Sequence, residues 1–206
     1  MNRVIAYIDG FNLYFGIRSK GWKRYYWLNP RALALNLLKP GQRLVFTKYF
    51  TARITSPSNR PDKQKRQTAF LEAIGTLPDT GIFYGHYLPK KHTCLRCGST
   101  WNAHEEKMTD VNIAVEMLNN AFDDEFDTAL VLSADSDLTP PVAAVRQRFP
   151  AKRVVIACPP DRQSKRLEGA ANAYLRIGRK KLLDSQFPDE VIKTDGFVLR
   201  RPPSWR

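Results

Sequence analysis

The sequence predicts a parallel β-sheet covered by helices on both faces. Short apolar runs of strand length alternate with stretches of helical periodicity along most of the chain. Two of those runs, Arg3–Ile8 and Ala129–Leu132, stop abruptly at carboxylates: Asp9 after the first, Ser133, Asp135 and Asp137 after the second. With 206 residues and 43% hydrophobic content, the chain is long and apolar enough to bury such a sheet.

The elements follow in order. Arg3–Ile8 is a buried strand that exits at Asp9-Gly10-Phe11-Asn12, where Gly10 permits a tight turn and Asn12 is the expected cap of a helix from Leu13. The aromatic and basic stretch Trp22 to Trp27, with Lys23 and Arg24, suits base stacking with phosphate contact, and equally suits packing under a loop. Asn29-Pro30 opens a helix through Leu38, an N-cap followed by proline at the first helical position. Gln42–Ile54 reads as a second strand, Ser56–Pro61 as a loop, and Asp62–Ile74 as a basic amphipathic helix with Phe70, Leu71 and Ile74 inward. Gly81–Leu88 is a third strand.

Residues 89–104 break the pattern and read as a loop insertion. Cys94-x-x-Cys97-Gly98 is half of a zinc knuckle, with His92 and His104 available to complete a Cys2His2 set. The alternative is a basic loop with two free thiols. Glu105–Phe122 is a strong helix pattern, with Asp110 in its first turns and Glu106 one turn earlier. After the 129–132 strand come a helix over Pro140–Phe149, a strand over Arg153–Ala157, a helix over Gln163–Ala173 and a short strand over Tyr174–Ile177. Residues 1–184 are expected as one domain, and 185–206, proline-bearing and aperiodic, as a C-terminal tail.

Composition narrows the function. No apolar run is long enough to span a membrane. Three cysteines and no cleavable signal predict a cytoplasmic setting. The net charge of +13 predicts a polyanionic partner such as nucleic acid. The charge is unevenly spread: residues 105–137 carry 10 acidic and 1 basic side chain inside an otherwise basic protein. Within that segment Asp123, Asp124, Glu125 and Asp127 read as a solvated loop. Asp135 and Asp137, two residues apart at a strand mouth, repel each other unless a cation such as Mg²⁺ or Mn²⁺ lies between them; they serve equally well as turn and cap residues.

In a parallel sheet, ligands bind beyond the carboxyl ends of the strands, where the winding reverses. If the first strand neighbours the 129–132 strand there, Asp9 meets Asp135 and Asp137, and Asp110 projects into the same crevice. Four carboxylates around one or two divalent ions make a phosphodiester hydrolysis site. At this point the chain resembles a known family. Ile8-Asp9-Gly10-Phe11-Asn12-Leu13, Glu106-Lys107-Met108-Thr109-Asp110-Val111 and Ser133-Ala134-Asp135-Ser136-Asp137-Leu138 look like the three signature blocks of NYN domains, the LabA-like branch of the PIN-like nucleases. The resemblance covers roughly residues 1–180. It implies a three-layer α/β/α Rossmann-like (PIN-like) fold, a Mg²⁺- or Mn²⁺-dependent ribonuclease site and RNA as substrate. By motif position it makes Asp9, Asp110, Asp135 and Asp137 the metal-binding and catalytic residues. Asn12, Ser133 and Lys107 would orient the substrate. The basic residues flanking the acidic segment, at 18–24, 63–66 and 162–166 with Arg24 and Arg166 among them, are expected along the phosphate track. Cys94 and Cys97, with a possible structural Zn²⁺, lie outside the three blocks. A homo-oligomer is compatible with all of this.

Two other readings compete. Asp135-x-Asp137-x-Thr139 after an apolar strand also spells the first motif of haloacid-dehalogenase-type phosphatases, with Asp135 as nucleophile. That reading leaves Asp9 and Asp110 without a role. The third reading is an RNA-binding module without activity.

Overall fold

The computed structural model describes residues 1–54 and 61–206, save the side chains of 61, 88–91 and 101–106. The expected loop at Ser56–Pro61 therefore lies almost wholly outside the described residues. The elements are β1 (Asn2–Asp9), α1 (Gly10–Ser19), α2 (Pro30–Leu37), β2 (Gln42–Ala52), α3 (Pro61–Gly75), β3 (Thr80–Thr93), β4 (Thr100–Lys107), α4 (Thr109–Phe122), β5 (Thr128–Leu132), α5 (Thr139–Arg148), β6 (Arg153–Cys158), α6 (Lys165–Ala170), β7 (Ala173–Arg176), α7 (Arg179–Leu183), β8 (Glu190–Ile192) and β9 (Val198–Arg200).

Seven strands form one sheet in the order β4-β3-β2-β1-β5-β6-β7. All neighbours are parallel except β4, which pairs antiparallel with β3 at the edge. The order runs outward from β1 to β2 and β3 on one side, then from β5 to β6 and β7 on the other. The winding thus reverses between β1 and β5, where the sequence places it. The side chains of β1 show the two-residue alternation of a strand covered on both faces. Val4, Ala6 and Ile8 enter a core with Leu13, Ile17, Leu33, Leu71 and Ile74; Ile5 and Tyr7 enter another with Ile113, Met117, Val142 and Leu167. Helices α1, α2 and α3 therefore cover one face and α4, α5 and α6 the other, a three-layer α/β/α sandwich.

Four expectations change. The segment 89–104 is a hairpin: β3 runs on to Thr93 and β4 returns in register from Thr93↔Thr100 to His86↔Lys107. It reads as a loop because backbone pairing, and no alternating apolar face, holds it. The helix expected from Glu105 starts at Thr109, because Glu105 and Glu106 belong to β4. The cap of α1 is Asp9, whose side chain accepts from Asn12 N, so the helix begins at Gly10 and not near Leu13.

The fourth change concerns residues 185–206, which pack as part of the body. The wholly buried Trp27 donates from Nε1 to Pro188 O at 2.7 Å, and Phe187, Val191 and Leu199 join the α1–α3 core. β8 and β9 form a small antiparallel pair, and Trp205 packs on Tyr26 and Phe70. Three spaced apolar anchors among prolines and charges leave no periodicity to read.

Candidate functional site

The carboxyl end of β1 builds the site. Ile8 pairs with Leu132, so the next residues on these adjacent parallel strands, Asp9 and Ser133, emerge together. Asp9 is 4% exposed and holds two elements at once. Its Oδ1 accepts from Asn12 N at 2.9 Å, closing the first turn of α1, and its Oδ2 accepts from Ser133 Oγ at 2.9 Å. Ser133 Oγ in turn accepts from Asp135 N at 3.1 Å, Asp135 Oδ1 accepts from Asp137 N at 3.0 Å, and Asn12 Oδ1 accepts from Ala134 N at 3.1 Å. Residues 133–137 are thereby pinned to the α1 turn by side-chain-to-backbone bonds, the local chemistry that Ser, Asn and Asp provide best.

Two close approaches fix this end of β1. A Cβ on Gly10 would lie 2.6 Å from the Tyr49 hydroxyl and 2.7 Å from Phe50 O, so only glycine lets α1 start so close to β2. Burial, and after it the charge of Asp9, push the Tyr49 phenol well above its ordinary pKa. From the other face, α4 delivers Asp110. The chain turns from β4 into α4 at Met108, which takes a left-handed conformation (φ 77°) that side chains other than glycine seldom adopt. This turn puts Asp110 in the first helical turn, facing the crevice.

Asp110, Asp135 and Asp137 gather there, each offering a carboxylate oxygen within 4.8 Å of the others. The donor set is all oxygen, as a hard divalent cation requires. Oxygens on opposite sides of an ion at about 2.1 Å stand about 4.2 Å apart, so a small closure of these side chains would hold one. A cleft of about 190 Å³ opens beside them, lined by Asp9, Asn12, Asp110 and Asp135, by the rings of Phe11 and Phe15, and by Arg162. The expected ring of four carboxylates is thus a cluster of three with Asp9 at its base. Asp9 lines the same cleft, and both of its oxygens tie α1 to the 133–137 loop.

Known proteins resemble the chain in sequence and in fold. The family model of the NYN domain matches residues 3–178. The chain belongs to the NYN domain family. In the solved structure of a protein of unknown function from Vibrio parahaemolyticus, the fold superimposes with a TM-score of 0.57 at 18% identity, over 90% of this chain and 96% of that one. A protein of Pseudomonas putida named 6-hydroxy-3-succinoylpyridine 3-monooxygenase is 28% identical over 178 residues, 70% of this chain. The chain spans 55% of that relative's length.

A PIN-like NYN fold whose sheet switch point carries clustered aspartates is consistent with metal-dependent hydrolysis of nucleic acid. No helix among the described residues is long and apolar enough to cross a membrane. Of the residues singled out from sequence, Asn12 and Ser133 belong to the network under the acid cluster. Lys107 ends β4, exposed, two residues before α4. Arg24 lies over the Tyr25 ring at 5.0 Å, and it is its neighbour Lys23 that lines the large groove beside the cleft. Arg166 is exposed on the short helix α6, and Arg162 is the arginine that lines the cleft. Arg162 precedes α6 in a loop and belongs to the basic run 162–166 expected along the phosphate track.

Cys94 and Cys97 sit in the turn of the β3–β4 hairpin. Cys94 N donates to Ser99 O at 2.8 Å and Gly98 N to Cys94 O at 2.9 Å. The hydrogen bond with the Ser99 hydroxyl draws the Cys97 thiol below its ordinary pKa. Among the described residues the two thiols gather no third ligand; the side chain of His104 lies outside them. The aromatic stretch 22–27 divides: Tyr25 and Trp27 are core, while Tyr26 faces the groove.

Proposed function

We propose that this NYN protein, of the LabA-like branch, is a Mg²⁺- or Mn²⁺-dependent ribonuclease that hydrolyses phosphodiester bonds of RNA. The observation that carries this reading is the gathering of Asp110, Asp135 and Asp137 at the sheet's switch point in a protein of net charge +13. Like charges crowd here in a chain with 33 basic residues available to separate them. A divalent cation would be held by Asp110, Asp135 and Asp137, where it would lower the pKa of a bound water and offset the charge developing on the phosphate. Asp9 positions the site: it fixes Ser133 and the first turn of α1, and through them the loop that bears Asp135 and Asp137. Arg162, in the lining of the same cleft, supplies positive charge for the phosphate. Asn12 and Ser133 hold the loop against α1, and Lys107, Arg24 and Arg166 extend the basic surface along which the strand would run.

Asp110 belongs to this cluster, and a phosphatase built on Asp135-x-Asp137-x-Thr139 would leave it unused. A second reading draws on the large groove beside the cleft. Its volume of about 710 Å³ is that of a small-ligand pocket, and its lining is aromatic and basic. On this reading the protein inserts one oxygen atom of O2 into an anionic pyridine while an external two-electron donor such as NADH reduces the other to water, the monooxygenase chemistry that the name of the Pseudomonas relative gives for that protein. One assay separates the readings: purified protein with single-stranded RNA, single-stranded DNA, a phosphomonoester and, in air with NADH and flavin added, a hydroxypyridine acid, each across a Mg²⁺ and Mn²⁺ series and in EDTA. Cleavage of RNA that requires metal is the expected result. RNA cleavage that survives EDTA, or turnover of the monoester or pyridine alone, would sink the ribonuclease reading; RNA binding with no turnover would leave an inactive binding module.

A further inference from the structure

We infer that the groove beside the carboxylate cleft seats the unpaired bases of an RNA strand that enters the cleft, and that it thereby restricts the protein to single strands. The inference rests on the ribonuclease reading for the strand's destination, and on the groove's own lining for the rest.

The groove and the cleft share Phe11 and Phe15, so one extended ligand can occupy both. Away from that shared wall, rings follow one another across contiguous contacts. Phe15 meets Tyr14 at 5.3 Å between centroids, Tyr14 meets Tyr26 at 4.9 Å, and Tyr26 meets Trp205 at 5.7 Å. These rings come from α1, the 3-10 turn that follows it and the C-terminal segment. Phe15 is 40% exposed, a large apolar surface left facing water at the border of a site. Positive charge lines the same groove as the rings: Arg18, Lys23, and Lys63 and Arg66 one turn apart on α3. No Asp or Glu is among the described residues that line the groove.

Charge complementarity then selects the occupant. Cations alone suit any polyanion, and rings alone suit any apolar ligand. Both together, along a groove several times the volume of the cleft, suit a chain of planar groups on a phosphate backbone. A duplex turns its base faces inward onto one another, so a ring in the groove can stack only on a base that is already unpaired. The acidic cleft at the end repels the same backbone everywhere except where a cation is held. Groove and cleft therefore divide the work, one holding bases and the other one phosphate.

The test is a binding measurement in EDTA, where nothing is cleaved. Fluorescence anisotropy follows labelled single-stranded RNA of about ten nucleotides, within the usual site size of such grooves, against an abasic strand of equal charge and a duplex of the same sequence. The intact single strand is expected to bind at least about tenfold more tightly than either, in keeping with one or more stacked bases. Phe15→Ala should weaken it about five- to a hundredfold and Phe15→Trp should restore it. Phe15 is exposed enough that melting curves can verify the fold of both variants. Equal affinity for the abasic strand, equal affinity for the duplex, or indifference to Phe15→Ala would each overturn the inference. So would displacement of the strand by micromolar nicotinate, which would give the groove to a small ring acid. Base-dependent binding in a protein that never cleaves would sink the ribonuclease reading and leave the groove standing.

Discussion

Strand β1 carries a knot of carboxylates at each end. Beside its first residues, Arg3 bonds Asp127 twice over, from its backbone N at 2.7 Å and its guanidinium at 2.8 Å, and reaches Asp124 at 3.0 Å. Lys152, 8% exposed, pairs with the same Asp124 and donates to Phe126 O at 2.9 Å. Each acid there answers a cation. At the other end Asp110, Asp135 and Asp137 bring carboxylate oxygens within 4.8 Å of one another, and among the described residues Asp135 and Asp137 make no ion pair. Both knots come from the one acidic segment, yet the first ties together the amino ends of β1, β5 and β6 and the second gathers like charge at the switch point. A fold that pairs its carboxylates at one end and crowds them at the other leaves the crowding for a ligand to relieve.

Exchanging the two roles by mutation gives the largest effects. Asp135→Asn should reduce metal-dependent RNA cleavage by orders of magnitude, and in EDTA its melting temperature should equal or exceed that of the parent, since one repelling charge is gone. Asp127→Asn should do the reverse, lowering the melting temperature with cleavage per folded molecule unchanged. Rates and melting curves on the same preparations check both. A matching loss of stability in the two variants would erase the distinction between the two ends.

A second break targets the scaffold under the crowded end. Gly10→Ala sets a methyl group against Tyr49 and the Phe50 carbonyl, and the backbone oxygen has no rotamer to escape into. The expected loss is about 3 kcal/mol, the upper range for overpacking. Denaturant unfolding measures it. Because α1 must retreat to admit the methyl group, the Asn12–Ala134 bond lengthens and cleavage falls with stability. A variant that keeps full activity at reduced stability would show that the α1 turn does not hold the 133–137 loop in place.

Much of this architecture is legible in the residues. Apolar strands that end in Asp9 and in Ser133, Asp135 and Asp137 mark the switch point directly, because a strand buried on both faces has only its ends for polar groups. Asn29-Pro30 marks α2, and the structure caps α2 with Asn29 from Ala32 N at 2.8 Å. What the sequence hides is long-range or backbone-borne. The β3–β4 hairpin is held by main-chain bonds, to which side-chain pattern is blind. The left-handed turn at Met108 has no glycine or asparagine to announce it. That Asp9 supports the cluster of Asp110, Asp135 and Asp137 rests on its bond to the Ser133 hydroxyl at the end of the neighbouring strand, 124 residues away in sequence. Asp124 and Asp127 read as a solvated loop because their partners, Arg3 and Lys152, are 121 and 28 residues away from Asp124.

Acid sharpens the comparison by a smaller measure. Hydrogen bonds from Arg3, first through its side chain and then its backbone, hold the Asp127 carboxyl at about 2, below its ordinary 3.8; Lys152 and then Arg3 lower Asp124 in the same direction. A carboxyl whose pKa is lower in the folded chain favours folding while it is ionised in both states. That contribution is complete above the ordinary carboxyl range, declines as the unfolded chain begins to take up protons, and vanishes as pH falls through about 2, where the folded carboxyl takes its own. The melting-temperature gap between parent and Asp127→Asn should therefore be widest near neutrality and close between about pH 4 and pH 2. Salt should narrow it at every pH, since Arg3 and Asp127 are each about a third exposed and water and ions screen the pair. Added Mn²⁺ should raise the melting temperature through Asp110, Asp135 and Asp137, since a ligand that binds the folded chain stabilises it. That gain belongs to the opposite end of β1, so it should persist undiminished in Asp127→Asn. If removing Asp127 also removed the Mn²⁺-dependent gain, the two ends of the strand would be coupled, and the division between a pairing end and a binding end would fail.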